Sequence, residues 1–270
     1  VSGAPVPKRV CLITGASSGI GAAFADVYAA HGYDLVLTAR RLDRLEAKAA
    51  ELRARHGTAV HVAAADLVAA DAVPVLMERL AAEGVAVDAL VNNAGFGLSG
   101  SFLASDWEAQ RRVIRLLLEV PAELVHALAP GMVARHFGRI VNVASVAGLV
   151  TATAGHTLYP ATKAALVRFS QSLNLELSPS GVHVTALCPG FTYSEFHDAN
   201  GTRDIVSKMP KWMWLTAEEV VADGYAACEA NRPITVPGGQ YKAITALARL
   251  LPESVGFALM KRSGDRIRKV

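Results

Sequence analysis

Residues 14 to 21 read TGASSGIG, directly after the apolar run RVCLI and directly before the helical pattern AAFADVYAAHG. Gly15, Gly19 and Gly21 permit a tight turn and close backbone approach. The helix that follows points its N-terminus at the loop, where free N–H groups and the helix dipole favour an anion such as a pyrophosphate. Glycines also serve ordinary turns and tight helix packing. A position between a first strand and the opening of a helix makes a dinucleotide the better reading.

Outward from that turn, short apolar runs alternate with longer helical stretches. RVCLITGA, DLVLTA, AVHVAAAD, DALVNNAG, RIVNVAS and HVTALCPG are each closed by a small, polar or glycine-containing stretch. Continuous Val/Ile/Leu runs of this length fit strands buried on both faces of a parallel sheet. Between the first of them, AAFADVYAAHG and RLEAKAAELRARHG end at glycine as helix C-terminal caps do. The alternation predicts one α/β domain, a doubly wound parallel sheet with helices on both faces and right-handed crossovers. After Gly190 the segment FTYSEFHDANGTRDIVSKMPKWMWL has weak periodicity, and TAEEVVADGYAACEA then opens as a helix with a Thr216/Glu219 capping box. The short strand PITVPG follows. The expected organisation is a tail at 1–7, the domain at 8–240 and a C-terminal helical extension at 241–270.

Composition narrows the partners. The net charge is +3 and no basic stripe carries interleaved aromatics, which argues against nucleic acid. Cys11, Cys188 and Cys228 lie far apart without a CxxC pair, so they read as reduced thiols of a cytoplasmic protein. No run of 18 or more apolar residues predicts a membrane span, and VSGAPVPKR is too short and proline-rich for a signal peptide. The C-terminal stretch mixes apolar and basic residues and suits a membrane surface or another subunit, although Pro252 interrupts it. No His or Cys cluster has metal-site spacing.

TGxxxGxG at 14–21, NNAG at 92–95, Ser145, YPATK at 159–163 and CPG at 188–190 together resemble the short-chain dehydrogenase/reductase family, over roughly residues 8 to 240. The resemblance implies a Rossmann-type sheet of about seven strands that binds NAD or NADP. It assigns cofactor contacts to Gly15, Ser17, Ser18, Gly19, Ile20 and Gly21 in the loop, and adenine contacts to Asp66 and Leu67. Asn93, Ala94 and Gly95 would wall the cofactor, with Pro189, Gly190 and Thr192 at the carboxamide end. The second strand ends LTARR: Ala39 stands where the family's ribose-binding acid falls, and Arg40 and Arg41 follow, so NADP(H) is expected.

Tyr159 and Lys163 are four apart, on one helix face. A nearby ammonium, helped by the positive nicotinamide ring, favours phenolate, so Lys163 is expected to lower the Tyr159 pKa and let it exchange a proton with a carbonyl or alcohol oxygen. The resemblance also has Lys163 hold the nicotinamide ribose, while Ser145, ending RIVNVAS, would orient the substrate oxygen. The family's fourth catalytic residue, an asparagine whose backbone carbonyl holds a relay water, aligns with Leu117. Pro121 has no N–H to donate to the carbonyl of residue 117, which would leave that carbonyl free for the relay; a packing kink is the plainer reading. His156 is read as a pocket-wall or surface residue.

The segment at about 191–215 would form a substrate lid. Met209, Trp212, Met213 and Trp214 point to a hydrophobic carbonyl compound or alcohol, or else to packing of the lid. Arg203, Lys208 and Lys211 leave room for an anionic acyl thioester. Two other readings compete with a hydride-transfer enzyme: an NADP-binding sensor with little turnover, motivated by Leu117, and a non-redox reaction on the same scaffold. Family habit favours a homodimer or homotetramer.

Overall fold

In a computed structural model, which describes residues 8–98, 100–152, 155, 158–196, 207, 209–252, 254–258 and 261, strand β1 (Val10–Thr14) sets the pattern of the sheet. Cys11 and Ile13 turn to one face and Leu12 to the other, and all three are fully buried. The same alternation recurs in β2 (Asp34–Ala39), where Leu35 and Leu37 oppose Val36, and in β4 (Ala89–Asn92), where Ala89 and Val91 oppose Leu90. Burial on both faces explains why these strands read as unbroken apolar runs.

With β3 (Val60–Ala64), β5 (Gly138–Val143), β6 (Val182–Leu187) and β7 (Ile234–Thr235) they form one seven-stranded sheet in the order β3-β2-β1-β4-β5-β6-β7, parallel throughout. Helices α1 (Gly19–Ala30) and α2 (Leu42–His56) cover one face with α7 (Ala217–Glu229), through Phe24, Tyr28, Leu45, Leu52 and Val220. Helices α3 (Ala72–Ala82) and α5 (Val120–Ala134) cover the other through Leu76, Leu80, Leu124 and Met132, joined there by Phe169 of α6 (Leu158–Leu177). Gly57 closes α2 in the left-handed conformation, and the Thr216/Glu219 box at α7 is formed in both directions.

Two differences from the sequence reading concern helices. Helix α4 (Trp107–Ile114) runs through a π turn at Arg115–Glu119 into α5, and the combined run has the length and hydropathy of a membrane span. Its apolar residues Leu116, Leu117, Val120, Leu124 and Met132 are instead buried within the protein, as in a core helix. The boundary expected after residue 240 falls inside α8 (Gly239–Leu250), whose Tyr241 and Thr245 are buried. The outer face of α8 exposes Ile244, Leu247 and Leu250.

The sheet splits where β1 pairs with β2 on one side and β4 on the other. The crevice beyond the carboxyl ends of strands at such a split is where ligands bind in doubly wound sheets. A buried polar chain stiffens the neighbouring strands: Asn92 Nδ2 donates to Asn142 Oδ1 at 2.8 Å, and Asn142 Nδ2 to Ser170 Oγ at 2.9 Å. Removing one member leaves buried polar groups unsatisfied. Asn142→Ala is therefore expected to lower the unfolding free energy by about 2–3 kcal/mol in urea denaturation; a change within experimental error would deny the chain a stabilising role.

Candidate active site

At the carboxyl end of β1, Thr14 Oγ1 accepts the N–H groups of Asn93 at 2.9 Å and Ala94 at 2.9 Å, and donates to the Val91 carbonyl at 3.3 Å. Asn93 Nδ2 returns to the carbonyl oxygens of Thr14 at 3.0 Å and Gly15 at 3.3 Å. A Cβ on Gly15 would come within 2.7 Å of that amide nitrogen, and one on Gly21 within 2.5 Å of it. The glycines thus let the loop close against the NNAG turn, and Asn93 spends its side chain holding the wall rather than facing the crevice. Thr14 had no signal of its own in the sequence.

Ser18 stands at the N-cap of α1 without a side-chain capping bond, which leaves the first-turn N–H groups to another acceptor. Ile20 packs on the core under the loop. The hydroxyls of Ser17 and Ser18 both receive Arg41 Nη2 at 3.0 Å, and Arg41 Nη1 reaches Glu195 Oε2 at 2.8 Å. Arg41 is therefore the arginine that faces the glycine loop. Arg40 is exposed at the end of β2 and does not join it. Asp66 Oδ1 accepts the Val68 N–H at 3.2 Å and its other oxygen lies 3.7 Å from Arg112, while the Leu67 side chain is buried in the core. Only the backbone of Leu67 is left to meet a ligand.

Across the crevice, Ser145 follows β5 and caps a short turn (Val146–Gly148), accepting the Ala147 N–H at 3.1 Å. Gly148 brings that turn onto α6: a Cβ there would lie 2.7 Å from both the Lys163 carbonyl carbon and the Ala164 nitrogen. This close approach sets Ser145 beside Tyr159, near enough for its hydroxyl to act on the phenol. Lys163 Nζ lies 5.7 Å from the Tyr159 ring centre and donates to the Val143 carbonyl at 2.7 Å. Val146 N–H donates to the Pro189 carbonyl at 3.0 Å, tying the Ser145 turn to the CPG segment.

Burial dominates the electrostatics of this pair: it pushes the Tyr159 phenol up to about 12, and the Ser145 hydroxyl opposes it. The same burial brings the Lys163 ammonium down to about 8, so it is still mostly charged at neutral pH and loses its proton in mildly alkaline solution. The phenol is a proton donor as it stands.

Leu117 is buried within the π turn, and its Cδ2 occupies the space where a Cβ on Gly95 would come within 2.9 Å. The turn ends with the Val120 N–H on the Arg115 carbonyl, one residue before Pro121 enters α5. Proline both lacks a donor and clashes with the carbonyl four residues back; the wider turn accommodates both. The side chain of Leu117 has no chemistry to offer, which leaves its carbonyl.

Over the crevice, Gly190 lies against the ring of Tyr241, whose hydroxyl accepts the Phe191 N–H at 2.9 Å and donates to the Met213 carbonyl at 2.6 Å. One buried tyrosine thus ties both ends of the expected lid. The Thr192 hydroxyl turns back to the Gly190 carbonyl at 3.1 Å. Trp214 stacks on Tyr193 with ring centres 4.8 Å apart, Met213 packs on the core, and Met209 and Trp212 are exposed. Phe196, absent from the sequence reading, sets its ring 5.8 Å from that of Tyr159. His156, Arg203 and Lys208 lie outside the described residues.

A seven-stranded parallel sheet, a glycine loop at its split and a Ser–Tyr–Lys group facing that loop define a Rossmann-type dinucleotide site. The sequence pattern of short chain dehydrogenases matches residues 9–204, and the chain belongs to that family: it is an oxidoreductase that uses a nicotinamide cofactor between C=O and CH–OH groups. It is 33% identical to an uncharacterised oxidoreductase of Myxococcus xanthus, over 96% of this chain and 99% of that one. Among solved structures, a short-chain dehydrogenase from Sphingobium yanoikuyae in complex with NADPH is similar, at 36% identity and a TM-score of 0.79, over 89% of this chain and 93% of that one. So is a bulky-bulky ketone specific alcohol dehydrogenase from Comamonas testosteroni, at 31% identity and a TM-score of 0.74, over 90% and 93% of the two chains.

The Lys163 shift has a measurable sign. Folded Lys163 releases its proton near 8 against an ordinary value of 10.5. Between those values the unfolded chain holds more protons, so stability rises with pH; the raised Tyr159 value acts in the opposite sense only above its ordinary value of 10.0. From about pH 7 to about pH 9.5, the wild type is expected to gain about 2 kcal/mol relative to Lys163→Met in urea unfolding. A difference that stays flat with pH would refute the burial argument.

Proposed function

We propose that the chain is an NADP(H)-dependent reductase of hydrophobic ketones or aldehydes, running as an alcohol dehydrogenase in reverse. The observation that carries this is the Arg41 fork on Ser17 and Ser18, beside a strand end where Ala39 replaces the acid that would hold a free ribose hydroxyl pair. An arginine backed by two hydroxyls and an uncapped helix N-terminus suits a phosphate. The NADPH in the Sphingobium relative agrees with it.

Bound in the crevice, the nicotinamide supplies the hydride. Tyr159 gives its proton to the substrate oxygen as that oxygen gains charge, a role that fits a phenol held neutral. Ser145 holds the same oxygen and keeps the phenol oriented. Lys163, which faces the Val143 carbonyl from α6, would hold a ribose hydroxyl of the cofactor and carry protons behind Tyr159. Leu117 serves through its carbonyl, which Pro121 cannot engage, so the π turn stands in for the missing amide. Phe196 beside Tyr159 gives the substrate an apolar wall, which the exposed Trp212 and Met209 of the same segment would extend. The selectivity of the Comamonas relative for bulky ketones agrees with a wall of that kind.

Three measurements test this. Oxidation of NADPH over a panel of apolar ketones and aldehydes should exceed that of NADH; equal efficiency would end the assignment to NADP. Tyr159→Phe should lower kcat at least about 100-fold while NADPH still binds; retained turnover would remove Tyr159 from the proton path. Pro121→Ala should lower kcat with little change in KM, and full turnover in a folded variant would remove the carbonyl of Leu117 from it.

A further inference from the structure

Glu195 belongs to the segment that leaves β6, yet its carboxylate lies across the cleft on α2. Arg41 Nη1 meets its Oε2 at 2.8 Å, and Arg44 Nη1, one helical turn along, meets its Oε1 at 2.5 Å. Arg41 binds Ser17 and Ser18 with its remaining nitrogens, so carboxylate, guanidinium and glycine loop form one connected group. The neighbouring Ser194 closes the gap further: its Cβ lies 2.9 Å from where a Cβ on Gly19 would stand. An anion from the chain itself thus occupies the groups best suited to an anion from outside.

We propose that Glu195 is an internal competitor for the 2′-phosphate of the cofactor: its carboxylate holds Arg41 and Arg44, a 2′-phosphorylated ligand displaces it, and the displacement releases residues 191–196 from the glycine loop. The inference rests on the reading of Arg41 as the phosphate-binding arginine. A phosphate and a carboxylate present similar oxygen pairs to a guanidinium fork, and the phosphate carries more charge. A cofactor that lacks the 2′-phosphate has no group with which to displace Glu195, so it binds with the latch in place. Glu195 would then set the balance between the two nicotinamide cofactors as well as their affinity, which makes it a specificity-determining residue.

The bonds suit exchange. The three side chains are 41–45% exposed, and ion pairs of that exposure are individually weak and screened by salt. Both arginines hold the Glu195 carboxyl down near 2, so the latch stays charged at any pH where the protein would work. As a partly exposed contact between separate elements it adds little to overall stability, and Glu195→Gln should unfold like the wild type.

The test is a titration of wild type, Glu195→Gln and Arg41→Ala with NADPH, NADH and 2′,5′-ADP, by nicotinamide fluorescence and calorimetry at low salt. Glu195→Gln should tighten NADPH and 2′,5′-ADP about three- to ten-fold and NADH less than about two-fold, and the gain should shrink in about 0.5 M salt. Equal gains for NADH and NADPH, or none for either, would overturn the proposal. Arg41→Ala separates the two levels of the argument. If it weakens NADPH selectively while Glu195→Gln changes nothing, the cofactor reading stands and the latch falls. If it leaves the preference between NADPH and NADH unaltered, the cofactor reading falls first.

Discussion

The hydroxyl of Thr14 binds three backbone groups of the strand beside it, and the crevice exists because of that clamp. Parallel strands diverge at the split of a doubly wound sheet, and backbone groups that leave the ladder there must find partners or water. Thr14 supplies partners from one side and Asn93 from the other. The glycine loop can then lie against the NNAG turn, with no Cβ between them, and α1 keeps its N-terminus aimed into the opening. Each later feature of the site is built on that fixed edge: Ser17 and Ser18 face Arg41, and the Ser145 turn faces the loop from the far strand.

Burial governs the chemistry of the opposite wall more than charge does. A lysine placed near a tyrosine suggests an acidified phenol, but desolvation acts on both groups and favours the neutral form of each. The Lys163 ammonium also has a nearer partner in the Val143 carbonyl. A neutral phenol suits proton donation and hence reduction; the reverse reaction must first draw a proton from it.

How much of this was legible follows from what each residue touches. Strands buried on both faces leave continuous Val, Leu and Ile runs, so the sheet could be read directly, and the glycine loop and the Tyr159–Lys163 spacing are local patterns. Arg41 was visible because it stands at the end of a strand whose acid is missing. Arg44 lay within reach of the same logic, three residues on and on the same helix face. Glu195, Phe196 and Tyr241 were not, because their partners are Arg41, Tyr159 and the two ends of the lid, contacts that no periodicity records. Pro121 announced a break in the helix, but only the structure turns it into a π turn. The desolvation that opposes the lysine's effect on the tyrosine was not legible, because spacing gives proximity and says nothing about burial.

The segment over the crevice is held in two chemically different ways, and the difference bears on what can move. Tyr241 grips its two ends with the hydroxyl of a buried side chain bonded to Phe191 and Met213, a neutral contact that salt does not screen. Glu195 holds it with charge in partial contact with water, which salt or a competing anion can replace. Motion should therefore begin at Glu195 and pivot at Tyr241. Phe196, one residue beyond the latch, sits on the Tyr159 ring. Any event that frees Glu195 from α2 thus acts on an aromatic side chain packed beside Tyr159, and so links the Arg41 side of the crevice to the Tyr159 side through two adjacent residues.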